Sequence, residues 1–167
     1  MSTAFDWGRF TVRIDVKAPL KELYHAWATR AGMEYWFLRV CEYKKPDGSI
    51  KGDEEFTEPK DTYKWLWHGY DDDTVEFGEI LECNGKDFFK FSFGKAGNCT
   101  VHIYREAGET IVELVQDSIP VDEHGMQYYH LGCKTGWTFY LANMKSLYEG
   151  GMDLRNKNMN LQQVLNS

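Results

Sequence analysis

The longest regular pattern in the chain is an apolar stripe near its C-terminal end. Met126, Tyr129, His130, Cys133, Trp137, Tyr140, Leu141, Met144 and Leu147 recur every three or four residues, the spacing that gathers side chains on one face of an α-helix. The stripe predicts a helix from about Glu123 to Glu149, with Asp122 as its N-cap and Gly150-Gly151 as its stop. At 1.5 Å per residue it would be about 40 Å long. A helix with one apolar face must lay that face on another layer, so the rest of the chain has to supply one.

The preceding residues read as that layer. Phe10, Val12, Ile14 and Val16 alternate with Thr11, Arg13, Asp15 and Lys17, which is the period of a strand with one buried face. Pro19 can open a helix, and Leu20, Leu23, Tyr24 and Trp27 follow at helical spacing to about Ala28. A second short helical turn is expected over Met33 to Leu38. From Val40 to Pro120 the pattern is strand and turn. Pro46-Asp47-Gly48, Asn84-Gly85 and Glu106-Ala107-Gly108-Glu109 mark hairpins. Trp65 and Trp67 share one strand face, and Phe89, Phe91 and Phe93 share another. The tail from Met152 to Ser167 is expected to hold at most one more short helix, around Leu161, Val164 and Leu165.

The order is therefore strand, two short helices, about six strands, one long helix. This is an α+β chain, expected to form a single domain over residues 1–167 with 152–167 as a tail. A long antiparallel meander twists and curls. Its concave side can be covered only by the last helix, giving a helix-grip arrangement. A curved sheet and a straight helix do not touch along their full length, so a gap can open between them. Aromatic residues make up 16% of the chain, and inward rings serve either as walls of such a gap or as solid core. The pattern leaves open which. The candidate lining residues are Trp65, Trp67, Phe89, Phe91 and Phe93 from the sheet, and Tyr129, His130, Cys133, Trp137 and Tyr140 from the helix.

Charge and motifs exclude several functions. The net charge of −7 and the lack of a basic patch argue against nucleic acid as a partner. The four cysteines are scattered, with no C-x-x-C pair, and read as free thiols. The pattern leads to the expectation of neither a leader nor a membrane-spanning apolar stretch, and so of a protein in the cytoplasm. Dinucleotide, P-loop, zinc-protease and serine-hydrolase motifs are missing. His130 and Cys133, three apart on the helix, would need a third group to act as base and nucleophile or as half a metal site. The alternative is a hydrogen-bonded histidine beside a core thiol. Asp71-Asp72-Asp73 lacks the glycine and distal glutamate of a calcium loop. Glu76 and Glu82 are expected to share a strand face with Ile80, opposite Glu79. His102 and Tyr104 share a face, as polar contacts or as an outer cross-strand pair. No cofactor, metal or catalytic residue is assigned.

Three segments together, Phe10-Thr11-Val12-Arg13-Ile14, Pro19 to Trp27, and the Gly136-Trp137 pair within the last helix, resemble the START-like superfamily of polyketide cyclase and lipid transport (SRPBCC) proteins. Gly150-Gly151-Met152-Asp153-Leu154-Arg155 is similar to the end of many bacterial members. The likeness covers roughly residues 8 to 155 and is nearest to the bacterial branch related to the C-terminal domain of the heat-shock-protein-90 ATPase activator. It implies a seven-stranded antiparallel sheet around a C-terminal helix with a hydrophobic cavity between them. Members bind lipids, sterols, polyketides or hormones, and some catalyse cyclisation or aromatisation. The expected partner is thus a small hydrophobic or aromatic molecule held by a monomer or homodimer. A cyclase or aromatase using the same cavity and a chaperone-associated interaction protein are the alternatives.

Overall fold

The computed structural model describes residues 3–165. Met1, Ser2, Asn166 and Ser167, the ends of the expected domain and tail, lie outside the described residues. The elements run β1 (Phe10–Asp15), α1 (Leu20–Ala28), α2 (Arg30–Trp36), β2 (Val40–Lys44), β3 (Thr62–Leu66), β4 (Val75–Cys83), β5 (Phe88–Ser92), β6 (Asn98–Glu106) and β7 (Glu109–Asp117). A π-helical stretch (Gly125–Leu131) then leads into α3 (Gly132–Tyr148). The strands form one antiparallel sheet in the order β1-β7-β6-β5-β4-β3-β2. It is a meander in which the first strand closes on the last, Phe10 opposite Gln116 and Asp15 opposite Ile111. The helix-grip arrangement expected from the pattern is therefore the fold, and β1 and β2 are its edges.

Local chemistry sets the boundaries. Thr29 caps α2, its Oγ1 accepting from the Gly32 N–H at 3.0 Å. Asp122 meets the start of the C-terminal helix, its Oδ1 accepting from the Gly125 N–H at 2.7 Å. Gly125 is required by close approach: a Cβ there would stand 1.9 Å from the Pro120 carbonyl oxygen. The second short helix starts at Arg30 and ends at Trp36, earlier than the expected Met33 to Leu38, because Thr29 provides the cap and the sequence pattern weighed only the rings.

Two further expectations change. The tail holds no helix around Leu161 to Leu165; those residues form turns. Glu82 does not share a face with Glu76 and Ile80, because the pairing of β4 with β5 slips between Ile80 and Glu82. That bulge turns Glu82 to solvent and brings Cys83 partly inside. On the outer face, Tyr104 accepts from Arg13 Nε at 3.0 Å and donates to Glu113 at 3.0 Å, so the cross-strand reading of that face holds.

Most of the inward rings are core. Trp27, Trp36, Trp65, Tyr24, Tyr43, Phe89 and Phe91 are fully buried. The plug they make between sheet and helices is closely packed: Trp27 and Trp36 centroids are 4.7 Å apart, and Tyr63 stacks on Trp65 at 3.8 Å.

Candidate functional site

The sheet and the C-terminal helix part at one end, beyond this plug. There an open-mouthed cavity of about 450 Å³ lies among Phe37, Trp67, Tyr70, Thr74, Phe93, Cys133, Gly136, Trp137 and Tyr140. Its size falls within the roughly 300–1,000 Å³ usual for small-molecule sites. Phe37 follows α2, Trp67 follows β3, and Phe93 follows β5, so three strand or helix ends deliver the rings. Phe37 lies 5.0 Å from Trp137 and 4.8 Å from Tyr140, and Phe93 lies 5.6 Å from Trp137, centroid to centroid. Gly132 and Gly136 sit one turn apart on α3 and add no side chain to the wall. A Cβ at Gly136 would meet nothing within 4 Å.

The wall behind these rings is fixed by a buried polar cluster. Gln116 is fully buried on β7. It accepts at Oε1 from the Trp137 indole N–H at 3.0 Å and donates from Nε2 to the Ala96 carbonyl at 2.9 Å. The Cys99 thiol donates to the same Oε1 at 3.5 Å. Burial raises the Cys133 thiol, the Gln116 hydrogen bond lowers it in part, and the charge of Glu76 raises it further. Burial thus works against the thiolate form of Cys133, which here forms part of the cavity wall.

Of the residues proposed from sequence, Trp67, Phe93, Cys133, Trp137 and Tyr140 come together around this cavity. Trp65, Phe89 and Phe91 lie deeper, in the plug. Tyr129 and His130 go elsewhere. Tyr129 packs on His124 at 5.2 Å. His130 is buried among Phe5, Trp7 and Phe10, and its Nδ1 lies 2.9 Å from the Trp7 carbonyl. The π-helical winding rotates this part of the stripe away from the face that Cys133 and Trp137 share. His130 and Cys133 thus serve different neighbourhoods.

Sequence reasoning missed the loop and tail residues of the mouth. Tyr70 and Thr74 lie between β3 and β4, and Val164 and Leu165 approach from the tail. The segment ending at Arg155, legible in the sequence only as a family likeness, anchors the tail. Arg155 donates to the carbonyls of Glu34, Tyr35 and Leu38 at 2.8–3.2 Å and to Asp153 at 2.8 Å. Buried Asn143 of α3 donates to the Trp36 carbonyl at 2.8 Å and accepts from the Leu154 N–H at 2.7 Å. Burial would raise the Asp153 carboxyl, but hydrogen bonds from the Arg155 side chain and backbone and from Lys157 hold it far below the usual carboxylate range.

A larger space, about 670 Å³, lies on the outer face of β2 to β4 along Glu42, Lys44, Lys64, Phe77 and Glu79. Its charged walls keep their water, so the apolar cavity is the better candidate despite its smaller volume. Among the described residues no cluster of metal-ligating side chains occurs, and no helix is long and apolar enough to cross a membrane. Asp72 is paired with Arg39 at 2.7 Å.

The sequence profile of the Activator of Hsp90 ATPase homolog 1-like protein family matches residues 17–149. The chain belongs to that family. It is a member of the START-like superfamily through it. Solved structures repeat the fold at low identity. SSP2350 from Staphylococcus saprophyticus is 18% identical with a TM-score of 0.68, the match covering 89% of this chain and 96% of that one. The Aha1 dimer from Colwellia psychrerythraea is 14% identical with a TM-score of 0.64, covering 86% and 97%. DynU16, a protein of the dynemicin biosynthetic locus, is 17% identical with a TM-score of 0.63, covering 90% of this chain and 50% of that one. No curated protein matches the sequence. The family match stops at residue 149, so the tail that reaches the cavity mouth lies beyond it.

Proposed function

We propose that this protein binds a small hydrophobic or aromatic molecule in the cavity between Trp67, Phe93 and α3. The observation that carries the reading is a concave group of rings left unfilled next to a core that is otherwise tightly plugged. Filling it would stabilise a complex by about 25 cal/mol per Å² of apolar area, before the costs of association. The fold is compatible with ligand binding and with cyclase-like roles, and a structural relative encoded in a biosynthetic locus agrees with a small-molecule partner.

Fatty acids, sterols and polyphenols, titrated by calorimetry against the wild type and a Gly136→Phe variant, test the proposal. Gly136 lines the cavity and a Cβ there would meet nothing within 4 Å, so the larger side chain starts from open space at the wall. One of these classes is expected to bind the wild type, and Gly136→Phe is expected to lose at least about tenfold in affinity while keeping its fold. Equal binding by both proteins, or none by the wild type, contradicts the reading. A cyclase- or aromatase-type enzyme in the same cavity is the second reading, favoured by the inward carboxyl of Glu76, a group able to carry a proton. Turnover of a polyketide substrate that is lost in Glu76→Gln would support it.

A further inference from the structure

We infer that the ligand of this cavity carries a hydroxyl group at the end that reaches the sheet, and that Glu76 accepts the hydrogen bond from it. The inference rests on the cavity reading above and adds the chemistry of the ligand.

β4 pairs with β5 only from Ile80 onward, so its first half forks away from β5 while still pairing with β3. The fork is held by two bridges: the Tyr63 hydroxyl donates to the Ser92 carbonyl at 2.6 Å, and Ser92 Oγ accepts from the Glu79 N–H at 2.9 Å. Glu76 lies in the fork directly opposite buried Trp65, on the inward face that leads to Ile80. It follows Thr74 by two residues. Its Oε1 lies 2.5 Å from where a Cβ on Gly94 would stand, so the glycine beside Phe93 makes the room for it. Thr74, Phe93 and Cys133 line the cavity, with Glu76 standing just behind them rather than in the wall itself, and the charge of Glu76 raises the Cys133 thiol.

Burial raises this carboxyl above the usual range, the Phe77 backbone N–H offsets only part of that, and among the described residues no cation contributes. The neighbouring polar groups are committed: the Trp137 indole to Gln116 and the Tyr63 hydroxyl to Ser92. The hydroxyls that line the cavity, on Tyr70, Thr74, Tyr128, Thr135 and Tyr140, both donate and accept, so they discriminate little between ligands. An ionised carboxylate only accepts, so in that form Glu76 selects a donor. A ligand hydroxyl would donate a hydrogen bond to this half-buried carboxyl and offset part of the cost of its burial.

The test compares 2-naphthol with 2-methoxynaphthalene, which has the same ring system but no donor. Binding of each is read by tryptophan fluorescence in the wild type, Glu76→Leu and Glu76→Gln. The wild type is expected to prefer 2-naphthol by about tenfold or more. Glu76→Leu is expected to bring the ratio close to one without weakening the methoxy compound, and Glu76→Gln to give an intermediate ratio. Should Glu76→Leu not fold, as judged by circular dichroism, the ratio in Glu76→Gln decides. A wild-type ratio near one, or a ratio unchanged by the substitutions, overturns the inference while the cavity reading stands. Failure of both compounds and of every ligand class above to bind the wild type overturns both.

Discussion

Gly136 contributes to the cavity by what it lacks. It stands inside α3, where glycine costs roughly 0.5–1 kcal/mol relative to alanine, and a Cβ there would touch nothing. Gly136→Ala is therefore expected to raise stability by about that amount in urea unfolding, with a small loss of cavity volume. Glu76 is the reverse case, a group whose presence costs stability. Its carboxyl is raised by burial, so the folded protein holds its proton to higher pH than the unfolded chain does. Stability from this group falls as pH rises from the unfolded value, about 4.3, through the raised folded value. Glu76→Gln should therefore gain on the wild type above that window and match it below, in thermal melts taken across pH. Asp153 has the opposite sign. Its folded value is held far below normal by Arg155 and Lys157 despite burial, so its stabilisation is present above about pH 4 and lost as pH drops toward the folded value. Asp153→Asn should flatten the acid limb of the stability curve.

Among the elements, the tail and the C-terminal helix hold the site in place. Arg155 satisfies three carbonyls at the end of α2 and the turn after it, groups that a helix end leaves without partners. Arg155→Ala should cost at least about 2 kcal/mol in urea unfolding, since several buried acceptors lose their donor together. The distal tail acts on the mouth instead. Removing residues 159–167 leaves the Arg155 anchor intact and uncovers the side where Val164 and Leu165 stand. Stability should change little, while ligand dissociation measured by stopped flow should speed up by roughly tenfold if some 50 Å² of apolar cover is lost. The same elements show what the sequence could convey. The α3 stripe was legible because its period is regular, and the strands because alternation and turn residues agree. A constant helical period makes Tyr129 and His130 cavity candidates, but this stretch winds differently, and His130 is instead the hydrogen-bonded buried histidine that the sequence offered as the alternative. Tyr70, Thr74, Val164 and Leu165 sit in turns and tail, where no period exists to read.

For the molecule as a whole, alternation along a strand tells which face a ring takes but not how far along the sheet the helix stays in contact. Trp65 and Trp67 show this: two residues apart and on one face, the first is sealed in the plug and the second stands at the mouth. The gap expected between curved sheet and straight helix exists, but rings fill most of it and leave it open at one end. Where the ligand sits can be read from amide and indole chemical shifts of ¹⁵N-labelled protein titrated with 2-naphthol. Shifts are expected to cluster on the indoles of Trp67 and Trp137 and the amides of Phe93, Gly132 and Gly136. Shifts confined to the outer groove at Lys64, Phe77 and Gly78, or spread without regard to the cavity, would contradict it.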